Sequence, residues 1–142
     1  MSTIKSTKTL TSQQLRVFGA RESSLHEFEA RFGTGALAVT VELGIAAAEI
    51  FGPRWAADHL LSAAALASYE QACRPALVAF EARHDPMWTE YRLTRAAVFA
   101  GTAAASAQDA ARAAYEAVRE AALTEYNHAC ARVFGACYTS EG

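Results

Sequence analysis

Cysteine is scarce in this chain, and what there is does not pair. Cys73, Cys130 and Cys137 are an odd number with no Cys-x-x-Cys spacing, which argues against a disulfide framework and against a thiolate zinc site. They are expected as packed thiols in a reducing compartment. Lysine is scarce too, so the thirteen basic residues are nearly all arginine. They form no run, and the formal net charge is -2. No basic stripe is available to neutralise phosphates, which argues against nucleic acid as a partner. Long apolar runs are missing as well. Nothing approaches the roughly 18 uninterrupted apolar residues of a membrane span, and Met1 to Thr11 has no apolar core of the kind a signal peptide carries. No glycine-rich phosphate loop is present, and no Ser or Cys sits in a nucleophile-elbow context. These gaps point to a cytoplasmic protein that is not an enzyme and needs no cofactor.

What the chain does have is alanine, about a quarter of its 142 residues, within the 52% apolar fraction that a disordered chain lacks. Alanine loses no rotamers in a helix and lets helix backbones approach closely. One all-α domain is therefore expected over residues 12–142, after a flexible tail over 1–11. Thr11 or Ser12 is placed to cap a first short helix, and Ser23 or Ser24 a second that Gly33-Thr34-Gly35 stops. Val39 and Val41 would suit a short strand, but no second strand is evident to pair with it. The segment reads instead as a loop into a helix over Val41 to Phe51. Gly52-Pro53 stops that helix, and Pro53 opens another through Leu61. Ser62 is placed to cap a long helix to about Arg83, which Pro75 should kink or split. Asp85-Pro86 reads as a new start for a helix ending at Gly101. A last helix, over about 107–137, follows Ser106.

An internal repeat organises the second half. Tyr69, Phe80 and Tyr91 are spaced by eleven residues, as are Tyr115 and Tyr126. Leu66, Leu77 and Trp88 precede the first three rings by three, and Pro75 and Pro86 differ by eleven. Eleven residues are about three helical turns, overshooting by about 20°. The rings should thus mark one slowly drifting, buried face. The expected architecture is a small helical bundle: short N-terminal helices over 12–61, packed on a three-helix unit of repeats over 62–137.

Trp55-Ala56-Ala57-Asp58-His59-Leu60-Leu61-Ser62-Ala63, followed by Ala-Leu-x-x-Tyr-Glu units, resembles a group of small phage and prophage proteins. In that group such a segment precedes tandem alanine-rich eleven-residue units. Pro75 to Glu81 and Pro86 to Arg92 fit the unit best, and the resemblance covers roughly residues 15 to 135. After Tyr91 the proline is lost and the repeats degrade. The resemblance implies a mobile-element origin and no particular reaction.

Candidate residues were weighed for chemistry and for binding. Two Glu-x-x-His pairs, Glu81/His84 and Glu125/His128, with Glu49 and Glu90, have the composition of a carboxylate-bridged di-metal bundle. Helical phase argues against it: His84 lies about 40° from Phe80, whereas His128 lies about 200° from Tyr126. No metal site is expected. Asp58 and His59 are adjacent on a helix and should diverge. Trp55 reads as a core anchor. Trp88 stands at a repeat leucine position, which favours the core; an exposed binding anchor is the other reading, because such rings dominate binding hot spots. Arg92 and Arg95, one turn apart, could meet an acidic partner. A last helix of about 46 Å would overhang a preceding helix of about 22 Å. Phe134 and Tyr138 on that overhang would then fold back, pack on the N-terminal helices, or pair two copies as a homodimer.

The reading that results is a phage- or prophage-encoded protein-binding protein of the host cytoplasm, acting against a host defence complex such as a CRISPR effector. A virion assembly accessory and a toxin-neutralising immunity protein are the alternatives. The interface candidates are Trp88, Arg92, Arg95, Phe134 and Tyr138.

Overall fold

The computed structural model describes residues 8–140. The elements in chain order are β1 (Thr9–Leu10), α1 (Ser12–Val17), α2 (Glu22–Phe32), β2 (Leu37–Ala38), α3 (Val41–Phe51), α4 (Pro53–Leu60), α5 (Ala63–Phe99) and α6 (Ala105–Ser140). The fold class is all-α, as the composition implies. Two compact units share the long helices. One comprises the described residues up to Cys73 and from Asn127 onward; the other is Arg74–Tyr126.

In the first unit local chemistry sets the helix ends. The Thr11 side chain accepts from the Gln14 amide at 3.1 Å, and the Gln14 side chain accepts from the Thr11 amide at 2.8 Å. This reciprocal capping box satisfies two amides that a helix start leaves unpaired. Thr40 caps α3 at the Leu43 amide, and Pro53 opens α4 at a position where its missing N–H costs nothing. At the start of α2 the outcome differs. The helix begins at Glu22 with Arg21 as its cap residue, and neither Ser23 nor Ser24 serves.

Two further expectations are corrected here. The segment read as a tail contains a strand: Thr9 pairs antiparallel with Ala38, and Leu10 with Leu37. Leu10 is fully buried, and the Val39 amide donates to the Lys8 carbonyl. The segment read as a loop into α3 holds its partner, β2; the short strand considered there was set aside because Thr9–Leu10, two residues long, shows no alternating pattern. The core beside it is built from Leu15, Leu25, Phe28, Leu43 and the alanines of α3 and α4. The last turns of α6 complete it with Phe134, stacked on Tyr138 at 5.3 Å.

Small residues let α3 and α6 approach within this unit. A Cβ on Gly44 would fall 2.8 Å from the Gly135 Cα. Ala47, Ala48 and Ala131 beside them are fully buried. Only glycine fits such a crossing.

The second unit is a helical hairpin. Its rings meet in antiparallel register: Phe80 packs against Tyr126 at 5.8 Å, and Tyr91 stacks on Tyr115 at 5.6 Å. Eleven residues up one helix match eleven down the other, so the repeat marks a seam between helices. Gly101, with φ of +78°, closes α5. The Gly101 amide donates to the Val98 carbonyl and the Thr102 amide to the Ala97 carbonyl, a left-handed cap that glycine adopts without strain.

The expected division at Asp85-Pro86 does not occur, and two long helices stand where three were expected. α5 runs unbroken through Pro75 and Pro86. Both prolines are exposed, as are Gln71 and Ala82 four residues before them. The carbonyls that lose an amide partner are thus hydrated, and helices bow convex toward water in any case. α6 begins at Ala105, so Ser106 lies inside it. With 37 residues in α5 and 36 in α6, the overhang vanishes.

Candidate protein interface

Removing the overhang removes its two candidates. Phe134 is 0% exposed and Tyr138 3%. Both are core residues of the first unit, and neither presents a surface. The other three candidates, Trp88, Arg92 and Arg95, fall together on one exposed arc of α5 in the second unit.

Helical rotation explains the arc. At about 100° per residue, Leu77, Glu81, Trp88, Arg92, Arg95 and Phe99 lie within about 60° of one another. The seam rings occupy the neighbouring sector, so the arc flanks the seam. Leu77 is 40% exposed, Trp88 37% and Phe99 95%. Trp88 is held from behind, 5.3 Å from the Tyr115 ring and 6.0 Å from Tyr91. Arg92, Arg95 and Phe99 also line an open groove of about 670 Å³, completed by Ala96, Val98 and Gln108 near the hairpin turn. Neither arginine has a carboxylate within ion-pair distance among the described residues. By contrast, Arg112 is engaged by Glu116 at 3.0 Å, chiefly through the hydrogen bond that raises its pKa.

Sequence reasoning missed Phe99, although it stands eleven residues after Trp88 and so continues the series of Leu77 and Trp88. It also took Glu81 only as a potential metal ligand. The unit holding this arc is thinly cored. Ala122 is its one fully buried apolar residue, while five exposed large apolar side chains belong to it: Leu77, Val78, Trp88, Leu93 and Phe99.

Several of the residues considered for metal chemistry make other contacts, whereas Glu81 and Glu90 have no ion-pair partner among the described residues. The His84 ring hydrogen-bonds the Tyr115 hydroxyl through Nε2 at 2.8 Å and the Asp85 carboxylate through Nδ1 at 3.1 Å, and it stacks on Phe80. Glu125 pairs with Arg83, and His128 lies 3.3 Å from Glu49. Among the described residues, no group of three or more His, Cys, Asp or Glu side chains could hold a metal ion. Asp58 and His59 diverge as expected: Asp58 pairs with Arg54, and His59 hydrogen-bonds the Trp55 carbonyl while stacking on its ring at 4.5 Å.

One buried cluster in the first unit escaped the sequence reading. Tyr69, Cys73 and Cys130 lie close together, all buried in the core of this unit. Burial pushes the Cys73 thiol up to about 12 and raises the Tyr69 phenol well above its usual range. Such a thiol is protonated and inert as a nucleophile near neutral pH.

No described helix is long and apolar enough to cross a membrane. Comparison with protein-family models, curated proteins and solved structures finds no match.

Proposed function

We propose that this chain is a non-enzymatic protein-binding protein that docks a host protein through the arc of α5 centred on Trp88. The observation that carries this reading is the combination of three exposed apolar side chains, Leu77, Trp88 and Phe99, with two arginines, Arg92 and Arg95, that have no ion-pair partner among the described residues. Tryptophan and arginine supply most hot spots at protein interfaces. An arginine left without a partner on its own chain keeps its hydrogen-bonding capacity for another. The stacked rings behind Trp88 hold it in one orientation, which reduces the ordering cost of binding. The resemblance of the Trp55–Ala63 segment and the following repeats to phage and prophage proteins supports a partner in a host defence complex, of which a CRISPR effector is the concrete form.

Affinity capture from the host cell tests this. Tagged wild-type chain is compared with Trp88→Ala and Arg95→Glu, each first shown to retain its helical circular dichroism. The expected result is a host protein enriched by the wild type and lost with both variants. Equal enrichment of the same proteins by all three would remove the arc from the binding surface.

A further inference from the structure

We propose that the α5 arc pairs with the same arc of a second copy, antiparallel and centred on Trp88. The inference rests on the reading of this arc as a protein-binding surface and names what covers it while no host protein is bound; a host protein would displace the second copy. Its basis is a symmetry in the order of the side chains. Leu77 and Phe99 each lie eleven residues from Trp88, on opposite sides. Glu81 and Arg95 each lie seven away, and His84 and Arg92 four. An antiparallel two-fold pairing of the arc therefore sets Leu77 against the other copy's Phe99, and Glu81 against its Arg95. Arg92 meets the His84–Asp85 pair, and the two Trp88 rings meet at the centre. Apolar meets apolar at Leu77 and Phe99 and acid meets base at Glu81 and Arg95, while Arg92 faces a mixed pair, the His84 ring with its Asp85 carboxylate. This self-complementarity is what an interface with two-fold symmetry demands.

Several features of the arc agree with this occupant. Glu81, Arg92 and Arg95 have no ion-pair partner among the described residues, so pairing breaks no existing contact. Leu77, Trp88 and Phe99 are all exposed. The second unit is a two-helix hairpin with almost no enclosed core. Two such hairpins laid face to face form a four-helix arrangement, which encloses an interior that one hairpin alone lacks. The exposed prolines do not obstruct the contact. Pro86 lies about 160° around the helix from Trp88, and Pro75 about 140°.

The test is a charge exchange on the full chain, read by sedimentation velocity and light scattering from micromolar to submillimolar concentration. The wild type is expected to form a concentration-dependent dimer. Glu81→Arg or Arg95→Glu alone sets like charges against each other twice in the symmetric pair. Each is expected to weaken dimerisation by about tenfold or more. The double variant restores opposite charges in exchanged positions and is expected to recover the wild-type dimer constant to within about threefold. Both residues are exposed and unpaired, so helicity by circular dichroism should be unchanged in all three variants.

A wild type that stays monomeric throughout overturns the pairing, as do single variants that dimerise like wild type or a double variant that fails to recover. These outcomes leave the broader protein-binding reading to the capture experiment. Conversely, charge rescue without any captured host protein upholds the pairing while the proposed host partner fails.

Discussion

The close crossing of α3 and α6 offers the sharpest stability test, through Gly135→Ala. Alanine ordinarily stabilises a helix interior by about 1 kcal/mol relative to glycine. Propensity alone therefore predicts a gain. The structure predicts a loss. A Cβ on Gly135 would fall 2.8 Å from the Val41 carbonyl oxygen, 2.8 Å from the Ile45 Cγ1 and 3.2 Å from the Ile45 amide nitrogen. A side chain can rotate away, but Val41 O and Ile45 N are backbone, and both belong to α3. The helix must shift by several tenths of an ångström, which disturbs Ala47, Ala48 and Ala131, all fully buried. Overpacking of this kind costs typically about 1–3 kcal/mol and more where backbone must move. With backbone on both sides of the clash the upper end, about 3 kcal/mol, applies, and subtracting the propensity gain leaves a net loss of about 2 kcal/mol. In a chain of this size that lowers the melting temperature by about 5–10 °C. The measurement is thermal denaturation followed by circular dichroism. Ala136→Gly serves as an exposed control on the same helix, expected to lose only about 1 kcal/mol of propensity. Gly44→Ala should act like Gly135→Ala. The double variant should lose less than the two singles combined, because both relieve the same crossing. A Gly135→Ala protein that melts at or above the wild type would refute the crossing.

Other outcomes follow from the same structure. Phe134→Ala should cost about 3–5 kcal/mol in urea denaturation, whereas Trp88→Ala, which removes a 37% exposed ring packed on Tyr115 and Tyr91, should cost clearly less, about 1–2 kcal/mol. Equal losses at the two positions would contradict their placement. Tyr115→Phe deletes the hydroxyl that His84 Nε2 meets at 2.8 Å and should cost about 1 kcal/mol, with no loss if that contact is absent in solution. Thr11→Ala removes one arm of the capping box and should also cost about 1 kcal/mol, read as a lower melting temperature. Alkaline pH should destabilise the first unit. The folded state keeps Cys73 protonated to about pH 12 against an ordinary value of 9.0, so above pH 9 the unfolded chain binds fewer protons and stability falls as pH rises. The limiting slope is about 1.4 kcal/mol per pH unit for such a group. Cys73→Ala should flatten urea-derived stability between pH 9 and 11 (roughly the window in which only the unfolded thiol ionises), and an unaltered slope would show that Cys73 does not titrate as placed.

Much of the helical layout was legible because its signals are local. Thr11, Pro53 and Ser62 mark starts through groups that bond within three residues or occupy the first turn, and Gly101 marks an end through its own φ. The eleven-residue spacing of Phe80, Tyr91, Tyr115 and Tyr126 was legible because helical phase alone puts them on one face. What stayed hidden is set by partners distant in sequence. Leu10 is a strand residue only because Leu37 lies across from it, and two residues carry no period. Gly44 and Gly135 look like weak points of their helices until each is set against the other. Cys73, Cys130 and Tyr69 come together from α5 and α6, and nothing in their spacing shows it.

The fate of the candidate interface turned on a single local signal, Asp85-Pro86. Read as a helix start, it shortened one helix, lengthened its neighbour by comparison, and so created an overhang that made Phe134 and Tyr138 interface candidates, although packing on the N-terminal helices was among the readings and is close to what the structure has. The signal itself is sound chemistry: an acid before a proline does cap helices. Here it is overridden because Pro86 faces water, where a lost backbone hydrogen bond is replaced by hydration, and because the rings on both sides of it, Phe80 and Tyr91, lie on one seam. Breaking α5 at Pro86 would sacrifice that register. Continuity through Pro86 also gives the arc its meaning. Leu77 and Glu81 precede the proline, and Trp88, Arg95 and Phe99 follow it. Their symmetric order about Trp88 exists only on one uninterrupted helix, and a chain split there would present two unrelated fragments of the same surface.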